Sequence, residues 1–130
     1  EERRAALAVE GEFPEVRADE AMLRRALLNL LRNAAEAIPD DAAERRVNVR
    51  GSVVRDDAGR DWVSLEVEDT GAGIAEEDLQ RIFIPFFTTK SKGHGVGLAL
   101  AHRVATDHGG TLSASNSANG GAVFTLRLPA

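Results

Sequence analysis

The chain has 130 residues, no cysteine and a formal net charge of −5. This length is typical of one domain with its own hydrophobic core. The lack of cysteine excludes disulfides and cysteine-ligated zinc, and the acidic balance argues against a nucleic-acid partner, which needs a basic surface. No apolar run has the length of a membrane span. We therefore expect a domain that makes no membrane contact and works in a cytoplasmic setting.

The N-terminal part of the chain predicts extended pieces followed by a long helix. Short extended pieces are expected at 7–10 and 13–16, where glycine and proline interrupt the chain. Leucines at three- and four-residue spacing then predict a helix over 20–38. Asp19 is the expected N-cap, and Pro39 is expected to end the helix.

The rest of the chain predicts a β-hairpin, two further helices and two final strands. The pattern indicates an α/β (α+β) two-layer sandwich, with helices on one face of a mixed, largely antiparallel sheet. The elements expected in this part are strands at 47–53 and 62–68, a short helix at 76–82, a loop at 84–95, a helix at 96–108 and strands at 111–116 and 122–128.

The long helix carries three polar residues on one stripe. Asn29, Asn33 and Glu36 lie at i, i+4 and i+7, and at about 100° per residue the stripe falls opposite the leucines. The pattern alone favours an ordinary solvated face. The choice of asparagine favours a functional role, because asparagine is a poorer helix former than Lys, Glu, Arg or Gln. Side-chain amides can orient a hydrated Mg²⁺ or a phosphate group, since Mg²⁺ takes few protein oxygens.

A carboxylate ends the second strand of the predicted hairpin. Alternation places Asp69 on the same apolar face as Val63 and Val67. A carboxylate on the core side is costly unless a donor meets it. It caps the following turn in one interpretation, and in the other it lies at a pocket floor and accepts a hydrogen bond from a ligand amino group. The glycines of segment 69–74 (DTGAGI) would let the backbone approach that ligand.

A glycine-rich segment precedes the last predicted helix. Gly93, Gly95 and Gly97 alternate there, after Lys90 and Lys92. Backbone N–H groups at a helix N-terminus favour an anion, and the lysines add positive charge. A mobile surface loop is the alternative interpretation. The spacing matches neither the P-loop nor the Rossmann glycine motif, so both are excluded.

Taken in order, these segments resemble the motifs of the GHKL ATP-binding superfamily. Residues 28–37 (LNLLRNAAEA) resemble its N box, and residues 69–74 resemble its G1 box. Residues 82–90 (IFIPFFTTK) look like the F box of sensor histidine kinases, and residues 93–100 (GHGVGLAL) look like the G2 box. The segment 109–129 is similar to the last two strands of the family. The resemblance covers nearly the whole chain, and four motifs in order make it specific.

This resemblance implies the Bergerat fold, with ATP bound between the long helix and a flexible lid. It implies that Asn33 binds Mg²⁺, that Asp69 recognises the adenine amino group, and that Lys90 lies near the γ-phosphate. The residues implied to act in phosphoryl transfer are Asn29, Asn33 and Lys90. The residues implied to bind the nucleotide are Asn33, Asp69, Gly71, Gly73, Ile74, Phe87, Gly93, His94, Gly95, Val96, Gly97 and Leu98.

Position 29 departs from the ATP-hydrolysing branches of the superfamily. The related gyrase, chaperone and mismatch-repair ATPases have a glutamate there as general base. Asn29 cannot take a proton, so we expect inefficient ATP hydrolysis. A histidine kinase tolerates this change, because the acceptor histidine is itself the nucleophile and transfer depends on positioning and charge stabilisation. Smaller departures occur at Ile84, Ala99 and Ala122.

The resemblance implies a single ATP-binding catalytic domain over residues 1–130, with about residues 1–6 as the end of a linker. No phosphoacceptor segment or dimerisation hairpin is recognisable in the sequence. The implied partners are therefore the kinase's own dimerisation and phosphoacceptor domain and a response regulator. By itself the domain is expected to be a monomer that binds Mg·ATP and has no acceptor histidine.

Three other functions stay open within the superfamily. The first is a stand-alone anti-sigma-type serine kinase, although such proteins usually lack the segment at 86–90 (FFTTK). The second is a non-catalytic nucleotide-binding module, which the intact Asn33 and Asp69 oppose. The third is an ATPase that hydrolyses ATP for conformational work, which Asn29 opposes.

Overall fold

A computed structural model describes residues 6–13, 15–84 and 97–130 of the protein. Within these residues, five strands form one sheet and two α-helices pack against it. The elements are β1 (Ala6–Gly11), α1 (Glu20–Glu36), β2 (Arg46–Arg55), β3 (Asp61–Asp69), a 3-10 helix (Glu76–Asp78), α2 (Gly97–Asp107), β4 (Thr111–Asn116) and β5 (Ala122–Pro129).

The sheet has the strand order β1-β2-β3-β5-β4. β1 runs parallel to β2, and the other neighbouring strands are antiparallel. The predicted mixed, largely antiparallel sheet with helices on one face is therefore confirmed. β3 lies at the centre of the sheet, so the residues that follow its C-terminal end are held by strands on both sides.

α1 begins where the sequence predicts. The Asp19 carboxylate accepts a hydrogen bond from the Met22 amide at 3.1 Å, which gives a partner to one of the N–H groups that a first helical turn leaves unbonded. Ala26, Leu30 and Ala34 recur every four residues and are at most 1% exposed. Through this stripe, α1 packs against β2 and β3.

Two predicted helices are shorter in the structure, and one predicted extended piece forms no strand. α1 ends at Glu36 rather than at residue 38, because a residue before proline is disfavoured in the α region. The extended piece predicted at 13–16 forms no strand among its described residues, and the proline within it cannot donate to a ladder. The helix predicted at 76–82 is a single 3-10 turn at Glu76–Asp78, which no side-chain cap starts.

The core lies between the helices and the inner face of the sheet. Phe124 of β5 is paired with Val67 of β3, and each is 1% exposed. Leu126 and Leu128 continue the same face of β5, and α2 covers it with its own buried residues, among them Val104. The inner face is therefore a continuous apolar layer in the middle of the sheet.

α2 ends at the predicted glycine pair. Gly109 has a φ of 76°, and the Gly110 amide donates to the Ala105 carbonyl at 2.8 Å, as a left-handed helix terminus requires. His108 adds a contact that the sequence did not indicate, because its Nε2 accepts a hydrogen bond from the Asp19 amide at 3.0 Å. The end of α2 is thereby tied to the start of α1. Among the described residues, neither helix is long and apolar enough to cross a bilayer.

The outer face of the sheet carries a polar network. Arg50 reaches Glu68 Oε1 at 2.8 Å and Glu66 Oε1 at 3.2 Å. The hydroxyl of Ser117, in the turn after β4, donates to Glu68 Oε2. The hydrogen bond from Ser117, followed by the contacts from Arg50, holds the pKa of Glu68 below its usual range. The network connects the turn between β4 and β5 to the central strand.

Replacing Glu68 by glutamine is expected to lower the free energy of unfolding by about 1–2 kcal/mol at neutral pH, because two charge-assisted hydrogen bonds weaken. The pKa of Glu68 is lower in the folded state than the unfolded value of about 4.3. The stabilisation is therefore present above that pH and is lost as the pH falls through the lowered pKa. The free energies of unfolding of Glu68→Gln and of the wild type, measured in urea, should therefore become similar at acidic pH.

The matched control is Glu66→Gln, because Glu66 also pairs with Arg50 but its side chain is 40% exposed. Exposed pairs contribute less, so we expect a smaller loss. An equal loss from Glu68→Gln at neutral and acidic pH would contradict this assignment.

Candidate functional site

Asp69, at the end of β3, lies on the core side of the sheet and is 2% exposed. Its position on the apolar face is as predicted. Its Oδ1 accepts hydrogen bonds from the Gly71 amide at 2.8 Å and from the Ala122 amide at 3.3 Å. The carboxylate therefore caps the following turn, as one interpretation of the sequence held. The same bonds fix its orientation, which a ligand-binding role also requires.

The turn after Asp69 lies against the end of α1. A Cβ on Gly71 would lie 2.4 Å from the Ala37 carbonyl oxygen, a distance that no side chain can occupy. Gly71 therefore lets the backbone approach the helix closely. The turn and the C-terminal end of α1 form one continuous wall.

Thr70 ties the same turn to the start of β2. Its hydroxyl donates to the Glu44 carbonyl and accepts from the Arg46 amide, both at 2.9 Å. The Thr70 amide also donates to the Arg46 carbonyl at 3.2 Å. The backbone after Asp69 is thus fixed from the β2 side as well.

Asn116 is a positioning residue that the sequence reasoning missed. It ends β4, and its Oδ1 accepts from the Ile74 amide while its Nδ2 donates to the Ile74 carbonyl, both at 2.8 Å. The side chain imitates the paired bonds of a neighbouring strand. It also faces Gly73, which has a φ of 82°. The only feature of the sequence that could have indicated this role is the position of Asn116, an amide residue at a strand end before a glycine-containing turn.

The two asparagines of α1 lie at the border of the core. Asn29 and Asn33 are half-buried, whereas Glu36 is exposed. The prediction that all three lie opposite the apolar face is therefore wrong for the asparagines. The reason is that the buried stripe is centred on Leu30 with small alanines around it, while Leu23, Leu27 and Leu31 are only partly buried and Leu28 is exposed.

The start of α2 meets α1 at Asn29. A Cβ on Gly97 would lie 3.6 Å from Asn29 Cγ, so the two residues face each other. Leu98 is half-buried and packs against the core. The structure thus brings Asn29 together with Gly97, two residues that the resemblance assigned to the phosphate side of the site.

Six of the described site residues fall into two groups joined by α1, and Asn33 lies on α1 between them. Asp69, Gly71, Gly73 and Ile74 lie at one end, beside Ala37. Asn29 and Gly97 lie at the other end, the helix end of the site. At a rise of about 1.5 Å per residue, the eight steps from position 29 to position 37 span about 12 Å. The remaining predicted site residues lie outside the described residues: Phe87, Lys90, Gly93, His94, Gly95 and Val96.

The chemistry differs between the two ends. The strand end provides a buried carboxylate, which accepts hydrogen bonds. The helix end provides half-buried amide side chains and the N-terminus of α2, which favour anions and hard cations. No group of three acidic or histidine side chains suited to a metal occurs among the described residues. The arrangement suits an elongated ligand with an N–H donor at one end and an anionic group at the other.

Comparison with known proteins gives matches over nearly the whole chain. The sequence model of the family described as histidine kinase-, DNA gyrase B-, and HSP90-like ATPase matches residues 18–130. The sensor histidine kinase ZraS of Escherichia coli O157:H7 is 41% identical over 117 residues, which are 90% of this chain and 24% of ZraS. The chain thus spans about a quarter of the length of the curated relatives it matches.

Two solved structures show the same fold. The mycobacterial sensor histidine kinase MprB has a TM-score of 0.81 at 30% identity, over 96% of this chain and 83% of the MprB chain. Full-length ShkA in complex with AMPPNP has a TM-score of 0.70 at 32% identity, over 96% of this chain and 25% of the ShkA chain.

The family's sequence model covers all elements of this chain from α1 onward. The match with MprB covers most of this chain and most of the MprB chain. The chain therefore belongs to the histidine kinase-, DNA gyrase B-, and HSP90-like ATPase family, in the form found in sensor histidine kinases.

Proposed function

We propose that this chain binds Mg·ATP and is the catalytic domain of a sensor histidine kinase. In the whole kinase it donates the γ-phosphoryl group to a histidine on a separate dimerisation domain, in two-component signalling. The observation that carries the proposal is the buried, oriented carboxylate of Asp69 at the end of β3. Full-length ShkA, which shares the fold, is in complex with the ATP analogue AMPPNP.

At the strand end, Asp69 accepts a hydrogen bond from the adenine amino group. Two backbone amides already orient its carboxylate. The Asp69 side chain therefore loses little conformational freedom when the base binds. The base lies along the turn from Gly71 to Ile74, whose backbone Asn116 holds in place. A buried acceptor discriminates against bases that lack a matching donor.

At the helix end, the Asn33 side-chain oxygen holds Mg²⁺, and Asn29 contributes a second amide beside the phosphates. Amide oxygens are suitable ligands for this hard cation, which keeps several waters and phosphate oxygens. When bound, Mg²⁺ neutralises charge on the phosphates. By the family resemblance, we also expect contacts to the nucleotide from Lys90, Gly97, Leu98 and the residues Phe87, Gly93, His94, Gly95 and Val96.

Asn29 has no proton-accepting group, so the site positions a nucleophile rather than activating a water. This favours transfer to a histidine over hydrolysis. The domain works with its own dimerisation and phosphoacceptor domain and with a response regulator, on the cytoplasmic side where ATP is available. The relatives reported above are sensor histidine kinases, so the serine-kinase alternative is not favoured.

Asp69→Asn is expected to weaken binding of a non-hydrolysable ATP analogue roughly ten- to hundredfold, because a buried donor would then face the adenine amino group. The hydrogen bonds from Gly71 and Ala122 both use Oδ1, and an amide oxygen can accept them, so these two contacts should persist. Calorimetric titration measures the affinity, and thermal unfolding checks the fold.

The matched control for this change is Asp57→Asn, at the exposed hairpin turn, which should bind like the wild type. A folded Asp69→Asn variant with unchanged affinity would remove Asp69 from the nucleotide site.

Asn33→Ala is expected to reduce the magnesium-dependent part of the affinity at least about tenfold, because loss of a metal-site residue costs this much or more. The affinity measured with EDTA should change little. Asn48→Ala, on the outer face of β2, is the control with the same chemical change. Equal losses with and without Mg²⁺ would argue against a metal role for Asn33.

Asn116→Ala is expected to weaken ATP binding about fivefold, because two hydrogen bonds to the Ile74 backbone disappear. It should also reduce the preference for ATP over GTP, while the magnesium dependence stays as in the wild type. Titrations with both nucleotides measure this, with Ser115→Ala of the same strand as control. An unchanged base preference would limit Asn116 to a role in folding.

A further inference from the structure

A basic groove lies between α1 and the start of α2. It encloses about 670 Å³. Its walls include Arg24, Arg25, Leu28 and Arg32 of α1 and Leu100 of α2, and we call it the arginine groove. It borders Asn29 and Gly97, the residues at the helix end of the nucleotide site.

The charge of the arginine groove differs in sign from that of the whole protein. The chain has a net charge of −5, yet residues 21–35 contain three arginines and no acidic residue. Arg24 pairs with Glu20 at 2.6 Å on the exposed surface. Within the described part of the chain, Arg25 and Arg32 have no carboxylate at ion-pair distance. Two guanidinium groups therefore face solvent two helical turns apart.

The arginine groove also has an apolar contact surface. Leu28 is 51% exposed between the arginines, and the half-buried Leu100 faces it from α2. An exposed leucine among cationic side chains is the arrangement expected for a partner that has both apolar and acidic groups. Nucleic acid is a poorer match, because the rest of the protein is acidic.

The position of the groove relates it to the transfer reaction. In the proposed function, the phosphates lie beside Asn29 and Gly97. The acceptor histidine belongs to another domain, and its ring nitrogen must reach the γ-phosphorus from outside the site. The surface that surrounds the histidine therefore has to cover the protein surface next to these residues, and the arginine groove is part of that surface.

We propose that the arginine groove docks the phosphoacceptor domain, through carboxylates that flank the acceptor histidine and an apolar side chain that packs on Leu28. This inference rests on the proposed function and adds the surface and the chemistry of the partner. Exposed ion pairs contribute little affinity each, but they orient an encounter and make it sensitive to salt. The arginines therefore affect how the acceptor histidine is positioned at the site, and not the affinity for the nucleotide.

The test uses the full-length kinase that contains this chain. The double charge reversal Arg25→Glu with Arg32→Glu should slow histidine phosphorylation at saturating ATP at least about tenfold, since like charges across an interface are strongly unfavourable. At physiological ionic strength, the affinity for the ATP analogue should stay within about twofold to threefold, because screening limits the effect of exposed charges on the ligand.

The matched control is the double reversal Arg17→Glu with Arg127→Glu, which makes the same change of net charge at exposed positions outside the groove. It should phosphorylate like the wild type. The conservative double change Arg25→Lys with Arg32→Lys should keep most of the wild-type rate, because docking needs charge more than guanidinium geometry.

The outcomes separate the docking proposal from the proposed function. If the groove variant loses analogue affinity and phosphorylation to the same extent, the arginines act on the phosphates and docking is overturned. Unchanged phosphorylation in this variant would overturn docking as well. A wild-type protein that does not bind the analogue would overturn the proposed function itself. Wild-type analogue binding without histidine phosphorylation would overturn the kinase assignment and, with it, the acceptor as the occupant of the groove.

Discussion

The interaction on which the site depends is the capture of the Asp69 carboxylate by two backbone amides. A buried carboxylate is costly unless hydrogen bonds compensate it, and here one oxygen accepts from Gly71 and from Ala122. One donor belongs to the turn after β3 and the other to the start of β5. The carboxylate therefore sets the position of the turn relative to two strands, and the wall of the site follows from that one orientation.

The turn between β4 and β5 is fixed from both faces of the sheet. Asn116 holds the Ile74 backbone on one side, while the next residue, Ser117, donates to Glu68 on the outer face. Arg50 holds Glu68 in turn. A polar network on the side of the sheet away from the helices thus helps to position a binding surface on the other side. The hydrogen bond from Ser117, with the contacts from Arg50, also holds the pKa of this largely buried carboxylate below its usual range.

The sequence predicted correctly those features that depend only on residues close together in the chain. The N-cap at Asp19 and the glycine stop after α2 depend on residues within one helical turn, and both are confirmed. The bonds of Asn116 to Ile74 join residues 42 positions apart, so only the strand pairing brings them together. The asparagines of α1 were misplaced because the helical wheel was centred on leucines, whereas the most buried line includes alanines. Periodicity identifies an apolar side, but the neighbouring sheet decides where its centre lies.

The charge of the protein makes the location of its arginines informative. A net charge of −5 disfavours the approach of an anionic ligand, but at physiological salt this field extends only about 8 Å. Local charge therefore decides which surfaces an anion can approach, and α1 provides a stretch with arginines and no acids beside Asn29. This short-range field would favour an acidic acceptor surface, while the nucleotide phosphates lie beside Asn29 in the proposed site. One helix can serve both, because its half-buried asparagines border the core while its exposed arginines face the solvent.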